Sequence, residues 1–116
     1  MRYIAKHRFA DVTARKLRPI ADLIRWKTAD EAMEALKFLP NRGARLIEAV
    51  LKSAVGNAED KGARNVDDLK IVESRIDGGP IMKRFMPRAR GMATPIKKRY
   101  SHIIIAVDDG RAEGEK

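Results

Sequence analysis

The spacing of apolar residues changes near position 13, from every second residue to every third or fourth. Residues 2–12, RYIAKHRFADV, alternate loosely between apolar and cationic positions. This alternation predicts a half-buried strand or extended arm whose outward side is cationic. One side comprises Tyr3, Ala5, His7 and Phe9, and the other comprises Arg2, Lys6 and Arg8.

From Thr13, a candidate N-cap, the spacing becomes that of one face of a helix. Pro19 conflicts with this helix, because a proline past the first turn removes a hydrogen bond and clashes with the turn before it. The helix therefore either kinks at Pro19 or starts later than Thr13. Its predicted inward face consists of Leu17, Ile20, Ala21 and Ile24.

Two further helices are predicted before residue 62. Residues 28–39 open with Thr28 and Glu31 in capping-box register, and Pro40 ends this short helix. Asn41 is then placed to cap a longer helix, which the pattern identifies as the central core helix. The apolar stripe of that helix consists of Ile47, Val50, Leu51, Ala54, Val55 and Ala58.

Two segments of strand character follow, residues 69–77 and 99–107, and a basic segment joins them. The predicted fold class is α+β: a small three-stranded antiparallel sheet packed on three helices, with a long extended β-hairpin. The regions of Leu69 and Ile103 are expected to be neighbours in the sheet. At about 3.3 Å per residue, an arm of about nine residues would carry the tip of the hairpin about 30 Å beyond the sheet.

The length of 116 residues suits one domain, predicted over residues 1–116. We expect a globular part at about 1–77 and 98–108, the extended basic hairpin at about 78–99, and a polar, frayed tail at 109–116. No cysteine is present, which excludes disulfides and Cys-based metal sites. No apolar run is long enough for a membrane span or a secretory signal.

The net charge of +9 divides into blocks along the chain. Residues 1–27 hold eight basic and two acidic side chains, and residues 78–107 hold seven basic and none acidic. Residues 28–77 hold eight basic and ten acidic side chains, and the tail from 108 holds two basic and four acidic ones. Segregated positive charge attracts a polyanion, so nucleic acid is the favoured partner. A solvated basic face, an acidic protein or a membrane surface are the alternatives.

The composition of the hairpin segment, residues 78–99, indicates a partly stiffened cationic probe. Arginine and lysine supply phosphate contacts, prolines restrict an exposed edge, and Met82 and Phe85 add apolar contact area. A disordered basic loop is the alternative, and the flanking strand signals argue against it. The basic residues are Lys83, Arg84, Arg88, Arg90, Lys97, Lys98 and Arg99.

Catalytic and metal-binding patterns are missing from the sequence. His7 and His102 lie far apart and form no metal motif, so a strand position or contact with RNA is favoured for them. No serine has the flanking glycines of a nucleophile elbow, and Asp67-Asp68 fits a solvated pair in a turn. We therefore expect a protein without enzymatic activity, cofactor or metal.

Four segments together resemble the family of bacterial large-subunit ribosomal proteins numbered twenty-two, over about residues 2–108. They are YIAKHRFADVTARKLRPIADLIRWK, LKSAVGNAED, DDLKIVESRIDGGPIMKRFMPRARG and KKRYSHIIIAV. The most diagnostic residues are Gly79-Pro80, Met82-Lys83-Arg84, Pro87-Arg88-Ala89, Gly91 and Ser101-His102.

The resemblance implies a ribosome-bound cytoplasmic protein that binds large-subunit rRNA, supports assembly and contacts neighbouring large-subunit proteins. It also implies that the hairpin lines the exit tunnel beside the nascent polypeptide, without catalysis. The expected RNA-binding residues are Lys6, Arg8, Arg15, Lys16, Arg18, Arg25, Lys27, Lys83, Arg84, Arg88, Arg90, Lys97, Lys98, Arg99 and His102. The expected tunnel-lining residues are Met82, Lys83, Arg84, Arg88, Ala89, Arg90, Gly91 and Met92.

Three positions depart from the family pattern. Trp26 stands where a glycine commonly ends the first helix, Pro19 interrupts that helix, and Met92 replaces a residue that is usually polar or basic. The competing hypothesis is an architectural DNA-binding protein, since such proteins also grip a duplex with basic β-arms. A protein-protein scaffold would leave both basic blocks unexplained.

Overall fold

A computed structural model describes residues 2–63, 69–87 and 93–109, with the backbone alone at 80–87 and 93–99. In this part of the chain, the N-terminal strand and two long strands near the C-terminal end form one sheet. The elements are β1 (Arg2–Ala10), α1 (Ala14–Ile24), α2 (Ala29–Lys37), α3 (Arg42–Asp60), β2 (Lys70–Pro87) and β3 (Ala93–Asp108).

The sheet has the order β1-β3-β2, and both pairings are antiparallel. The predicted α+β class with a three-stranded antiparallel sheet is therefore confirmed. Residues 103–107 of the central strand are all buried. The side chains of Ile103, Ile105 and Val107 belong to the core shared with the helices, while Ile104 is buried outside that core cluster. Successive side chains of a strand point to opposite faces of the sheet, so this apolar run supplies buried residues to both faces.

The helices bury the predicted stripes. Leu17, Ile20, Ala21 and Ile24 are buried on α1, and α3 buries its stripe except for half-buried Val55. The Thr28 hydroxyl accepts a hydrogen bond from the backbone N–H of Glu31 at 3.3 Å, as the capping box predicts. The Asn41 side chain makes no capping bond within the described residues. The buried stripes of the helices share one core with Ile103, Ile105 and Val107. The helices therefore pack on one face of the sheet and leave the other face open.

Helix α1 begins directly after Thr13 and continues through Pro19, so the alternative of a later start is wrong. Proline lacks an N–H, which leaves the carbonyl of Arg15 without its usual intrahelical donor. Both residues are exposed, so water can satisfy that carbonyl. A proline within a helix destabilises the helix least when it lies on the solvent-facing side, as Pro19 does.

Trp26 adopts a left-handed backbone with φ 70°, the conformation that a glycine would take without steric cost. The turn is held by two backbone hydrogen bonds to β2, from Trp26 N–H to the Ile71 carbonyl and from Ile71 N–H to the Lys27 carbonyl, both 2.9 Å. These bonds tie the loop after α1 to the start of β2. The departure from the family pattern therefore falls on a position where the backbone must reverse direction.

Register shifts interrupt the alternation of side chains on β1, where the sequence predicts it, and on β2. On β1 the shift lies between His7 and Ala10, so Phe9 is exposed and Ala10 is buried, although Tyr3 and Ala5 are buried before it. His7 precedes the shift and is exposed as well. On β2 the shift lies between Ile71 and Glu73, after which Ser74 and Ile76 face inward. Each extra residue reverses the faces of the positions that follow it, because side chains alternate with a period of two.

Beyond the globular sheet, β2 and β3 continue as a two-stranded ladder. β1 pairs with β3 as far as Ala10↔Ser101, and seven further pairs of β2 with β3 run from Ile81↔Arg99 to Pro87↔Ala93. The radius of gyration is 17.6 Å, against about 13 Å for a compact domain of this length. From the first of these pairs to the last, the ladder spans about 20 Å at 3.4 Å per residue, which agrees with the predicted extended hairpin.

Candidate nucleic-acid interface

The basic residues of the N-terminal block are mostly exposed. Lys6 and Arg8 lie on β1, and Arg15, Lys16 and Arg18 lie on α1. Lys6 and Arg8 are two residues apart on β1, so their side chains point to the same face of the strand. The three basic residues of α1 lie outside the apolar stripe that packs on the core. All five are available to a polyanionic partner.

Arg25 and Lys27 are half-buried and already have contacts within the chain. The Arg25 guanidinium donates to the Ser74 carbonyl at 2.6 Å and pairs with the Asp22 carboxylate at 2.9 Å. Arg25 therefore docks the end of α1 onto β2, which limits the part of its guanidinium that can reach a partner. Its RNA-binding role stays a prediction.

His102 is half-buried on β3 and lies beside two aromatic residues. The backbone N–H of Phe9 donates to Nδ1 of His102 at 3.1 Å. The ring of Phe9 stands edge-on to the rings of His102 and Tyr100, with centroids 5.1 and 6.4 Å apart. The imidazole thus links the bulged end of β1 to the base of the hairpin.

A cleft of 360 Å³ lies where the hairpin leaves the globular sheet. It is lined by Arg15 and Arg18 of α1, by Gly78 and Gly79 of β2 and by Tyr100 of β3. Among the acidic and basic side chains that the structure describes, only the two arginines line the cleft. The cleft therefore continues the basic surface of α1 to the base of the hairpin.

Gly79 sits at the register shift between Gly78 and Ile81, where two residues of β2 oppose Tyr100 alone. A Cβ at position 79 would lie 2.8 Å from the Tyr100 carbonyl oxygen and 2.9 Å from its carbonyl carbon. Backbone atoms cannot swing away as a side-chain end can. Gly79 is therefore required for the close approach that starts the hairpin.

Replacing Gly79 by alanine is expected to destabilise the protein by about 1–3 kcal/mol, as overpacking against rigid backbone does. Gly78→Ala is the matched control, because a Cβ there meets no described atom within 4 Å. Thermal unfolding of both variants checks the prediction. Equal midpoints for the two would show that the hairpin base can shift to accept a side chain.

The ladder beyond Gly79 is rich in basic positions. Four consecutive pairs, from Ile81↔Arg99 to Arg84↔Ile96, each contain at least one basic residue. Consecutive pairs belong to alternate faces of a ladder, so basic positions occur on both faces. The register also sets Lys83 opposite Lys97, and like charges directly opposite are destabilising. A surrounding polyanion would remove that cost.

The tip of the hairpin falls outside the described residues. The predictions for Arg88, Ala89, Arg90, Gly91 and Met92 concern this segment and stay predictions. For the other hairpin residues of the predicted sets the structure supplies the backbone pairing. Those residues are Met82, Lys83, Arg84, Lys97, Lys98 and Arg99.

Phe9 and Arg75 are surface residues that the sequence pattern missed. The exposed fraction of Phe9 is 57%, although the alternation placed it beside Tyr3 and Ala5. Arg75 is exposed on β2, on the same face of the sheet as Lys6 of β1, although about seventy positions separate them in the chain. The one sequence feature that could have indicated an exposed, functional Phe9 is the presence of an aromatic residue within a cationic segment.

Other site types gain no support from the described part of the chain. There, the His, Asp and Glu side chains form no group of three or more that could hold a metal ion. None of the helices in that part combines the length and the apolar character needed to cross a bilayer.

The fold and its charge define a class: small, strongly basic α+β proteins that carry a cationic β-arm suited to a polyanionic partner. The model of the family described as Ribosomal protein L22p/L17e matches residues 5–108. The chain belongs to this family of ribosomal proteins.

A curated relative agrees with the family match. The large ribosomal subunit protein uL22 of Rhodopirellula baltica is 50% identical over 108 residues, which cover 89% of this chain and 91% of the relative. The resemblance found in the sequence is confirmed. The architectural DNA-binding alternative gains no support from either match.

Proposed function

We propose that this protein is a structural constituent of the large ribosomal subunit that binds large-subunit rRNA and supports subunit assembly. Its hairpin lines the nascent-peptide exit tunnel, and the polypeptide passing the tip is a transient partner. Membership of a ribosomal protein family supports the first part of this proposal, and the geometry of the hairpin supports the second.

The basic two-stranded ladder is the observation that carries the proposal. An isolated two-stranded hairpin is marginally stable at best in water. This one leaves the globular sheet at Gly79, sets Lys83 opposite Lys97, and carries basic positions on both faces. A hairpin enclosed by rRNA would exchange that repulsion for phosphate contacts on either side.

The globular part anchors the hairpin. The exposed cations of β1 and α1, from Lys6 to Arg18, form a second basic surface around the base of the hairpin. Two basic surfaces joined through one sheet allow the protein to hold separate rRNA segments at once, which is how it would support assembly. Neighbouring large-subunit proteins would contact the less basic surface of α2 and α3.

Binding accounts for the whole of this function, and we propose no reaction for the protein. The single-domain division, with a globular part at about 1–77 and 98–108 and a hairpin at about 78–99, belongs to the same proposal. So does a cytoplasmic, ribosome-bound location.

Sucrose-gradient fractionation of a tagged full-length chain tests the proposal. We expect the chain to sediment with the large subunit and to be released only at high salt, because counterion release makes phosphate contacts salt-dependent. A chain that stays in the free or nucleoid-bound fraction during active translation would contradict ribosomal assembly. Crosslinking of stalled nascent chains to the hairpin then tests the tunnel position separately.

A further inference from the structure

A groove of 240 Å³ lies on the face of the sheet that the helices leave open. Its floor is Ile104 of the central strand, which is only 5% exposed. The register sets Lys6 of β1 and Arg75 of β2 on either side of Ile104, in one row across three strands. With strands about 4.8 Å apart, the two basic residues flank the floor at roughly 10 Å from each other.

Phe9 lines the groove and has a backbone conformation that is unfavourable for a bulky residue. Its φ is 59°, in the left-handed region that bulky residues rarely adopt. Burial does not offset this strain, since Phe9 is 57% exposed. Local strain of this kind, where it exposes an aromatic ring, points to a binding role.

His102 holds Phe9 in this place. Its Nδ1 accepts the hydrogen bond from the Phe9 N–H at 3.1 Å. The rings of His102 and Phe9 are nearly perpendicular, with centroids 5.1 Å apart, and Tyr100 lies near Phe9 as well. These contacts from β3 hold Phe9 at the groove that it lines.

The charge of the groove favours an anion. Of the charged side chains that the structure describes, Lys6, Arg8, Arg75 and Asp77 line it, which is three cations and one carboxylate. The Arg75 guanidinium is fixed between the carboxylates of Glu73 at 3.0 Å and Asp77 at 3.5 Å. Lys6 and Arg8 have exposed side chains, so they are the cations best placed to contact a phosphate.

We propose that this groove binds one unpaired nucleotide of RNA, with the base stacked on the Phe9 ring and the flanking phosphates on Lys6 and Arg8. Its volume lies below the range of about 300–1,000 Å³ typical of pockets for drug-sized ligands, which suits a single base. Aromatic rings beside cations are the usual receptors for single bases. The assignment rests on the proposed rRNA binding and specifies one of its contacts.

Phe9→Ala tests the stacking contact, and Phe38→Ala is the matched control because Phe38 is 86% exposed on α2's C-terminal cap. Filter binding of the full chain to bacterial large-subunit rRNA transcribed in vitro is the measurement. We expect about a tenfold loss of affinity for Phe9→Ala, within the range measured for removal of a stacking aromatic. Phe9→Tyr should bind as the unaltered chain does, and Phe38→Ala should change nothing.

The salt dependence separates stacking from charge. Phe9→Ala should leave the slope of log Kd against log salt unchanged, whereas Lys6→Gln should reduce it by about 0.7, the value for one single-strand phosphate contact. Lys52→Gln, an exposed lysine on α3, is the control for charge. Fully paired double-stranded RNA, which offers no free base face, should bind Phe9→Ala and the unaltered chain equally.

The outcomes distinguish the groove from the wider function. Failure of the unaltered chain to bind the rRNA would overturn the proposed function itself. Salt-dependent binding in which Phe9→Ala matches Phe38→Ala would overturn the groove and leave the function standing. Circular dichroism and thermal unfolding confirm that each variant is folded. Phe9→Leu keeps an apolar side chain without an aromatic face and should also lose about tenfold in affinity, so it keeps the comparison decisive if the alanine variant unfolds.

Discussion

Replacing residues 82–98 by Asn-Gly is expected to lower the affinity for large-subunit rRNA by about 10⁴-fold at 0.15 M salt. The replacement removes six basic residues of the hairpin. Each lost phosphate contact reduces affinity about fivefold at this salt concentration, because each contributes about 0.9 to the salt slope. The removed residues are Lys83, Arg84, Arg88, Arg90, Lys97 and Lys98.

The shortened protein is expected to stay folded. The new turn follows the pair Ile81↔Arg99, and Asn-Gly forms the two-residue turn that closes an antiparallel pair most readily. Every core residue in the described part of the chain lies outside 82–98. Filter binding over a salt series and thermal unfolding of the same sample give the two measurements.

A second variant keeps the full hairpin length and carries glutamine at the same six positions. It distinguishes the effect of the hairpin's charge on rRNA affinity from the effect of its length. It should lose about as much rRNA affinity as the shortened chain, since the phosphate contacts supply most of the binding. A shortened chain that binds with unchanged affinity and salt slope would mean that the globular part alone carries the interaction. Collapse of its thermal transition would show that the hairpin packs on its own core.

Lys97→Glu is expected to act in opposite directions on the free protein and on its complex with rRNA. The substitution places an acid opposite Lys83, and an opposite-charge cross-strand pair stabilises by about 0.2–1 kcal/mol. The same substitution removes one phosphate contact and introduces a repulsive charge, so rRNA affinity should fall about thirtyfold at 0.15 M salt. Amide hydrogen exchange along the ladder and filter binding measure the two effects.

Lys52→Glu is the control, because it changes the net charge by the same amount from an exposed position on α3. It reveals how much of the loss comes from the overall charge of the protein. If Lys97→Glu binds rRNA as tightly as Lys52→Glu does, the ladder lies away from phosphates. Slower hydrogen exchange together with weaker binding is the result that the proposed enclosure of the hairpin requires.

The helices were predictable from the sequence because their pattern is local. Leu17, Ile20 and Ile24 of α1 recur at helical spacing, and that spacing alone selects the face that meets the core. Thr28 caps α2 through an atom only three residues away. The family could also be identified from four short segments of the sequence, because a family pattern consists of particular residues in a particular order along the chain.

The strands were harder, because their faces depend on partners that are distant in the chain. One extra residue on β1 brought Phe9 outward, and one on β2 brought Ser74 and Ile76 inward. Neither shift is visible in the alternation itself, since a bulge is defined against the opposite strand. Arg25 shows the same limit at the site, because its contact with the Ser74 carbonyl depends on β2.

The sequence by itself determined the family, the α+β class, the helical faces and the separation of basic charge into two blocks. These follow from composition, order and spacing, which involve neighbours along the chain. The tertiary structure alone decided the Lys83↔Lys97 pairing, the need for glycine at position 79 and the groove between Phe9 and Arg75. Each of these depends on how close distant segments come, and only the folded chain sets those distances.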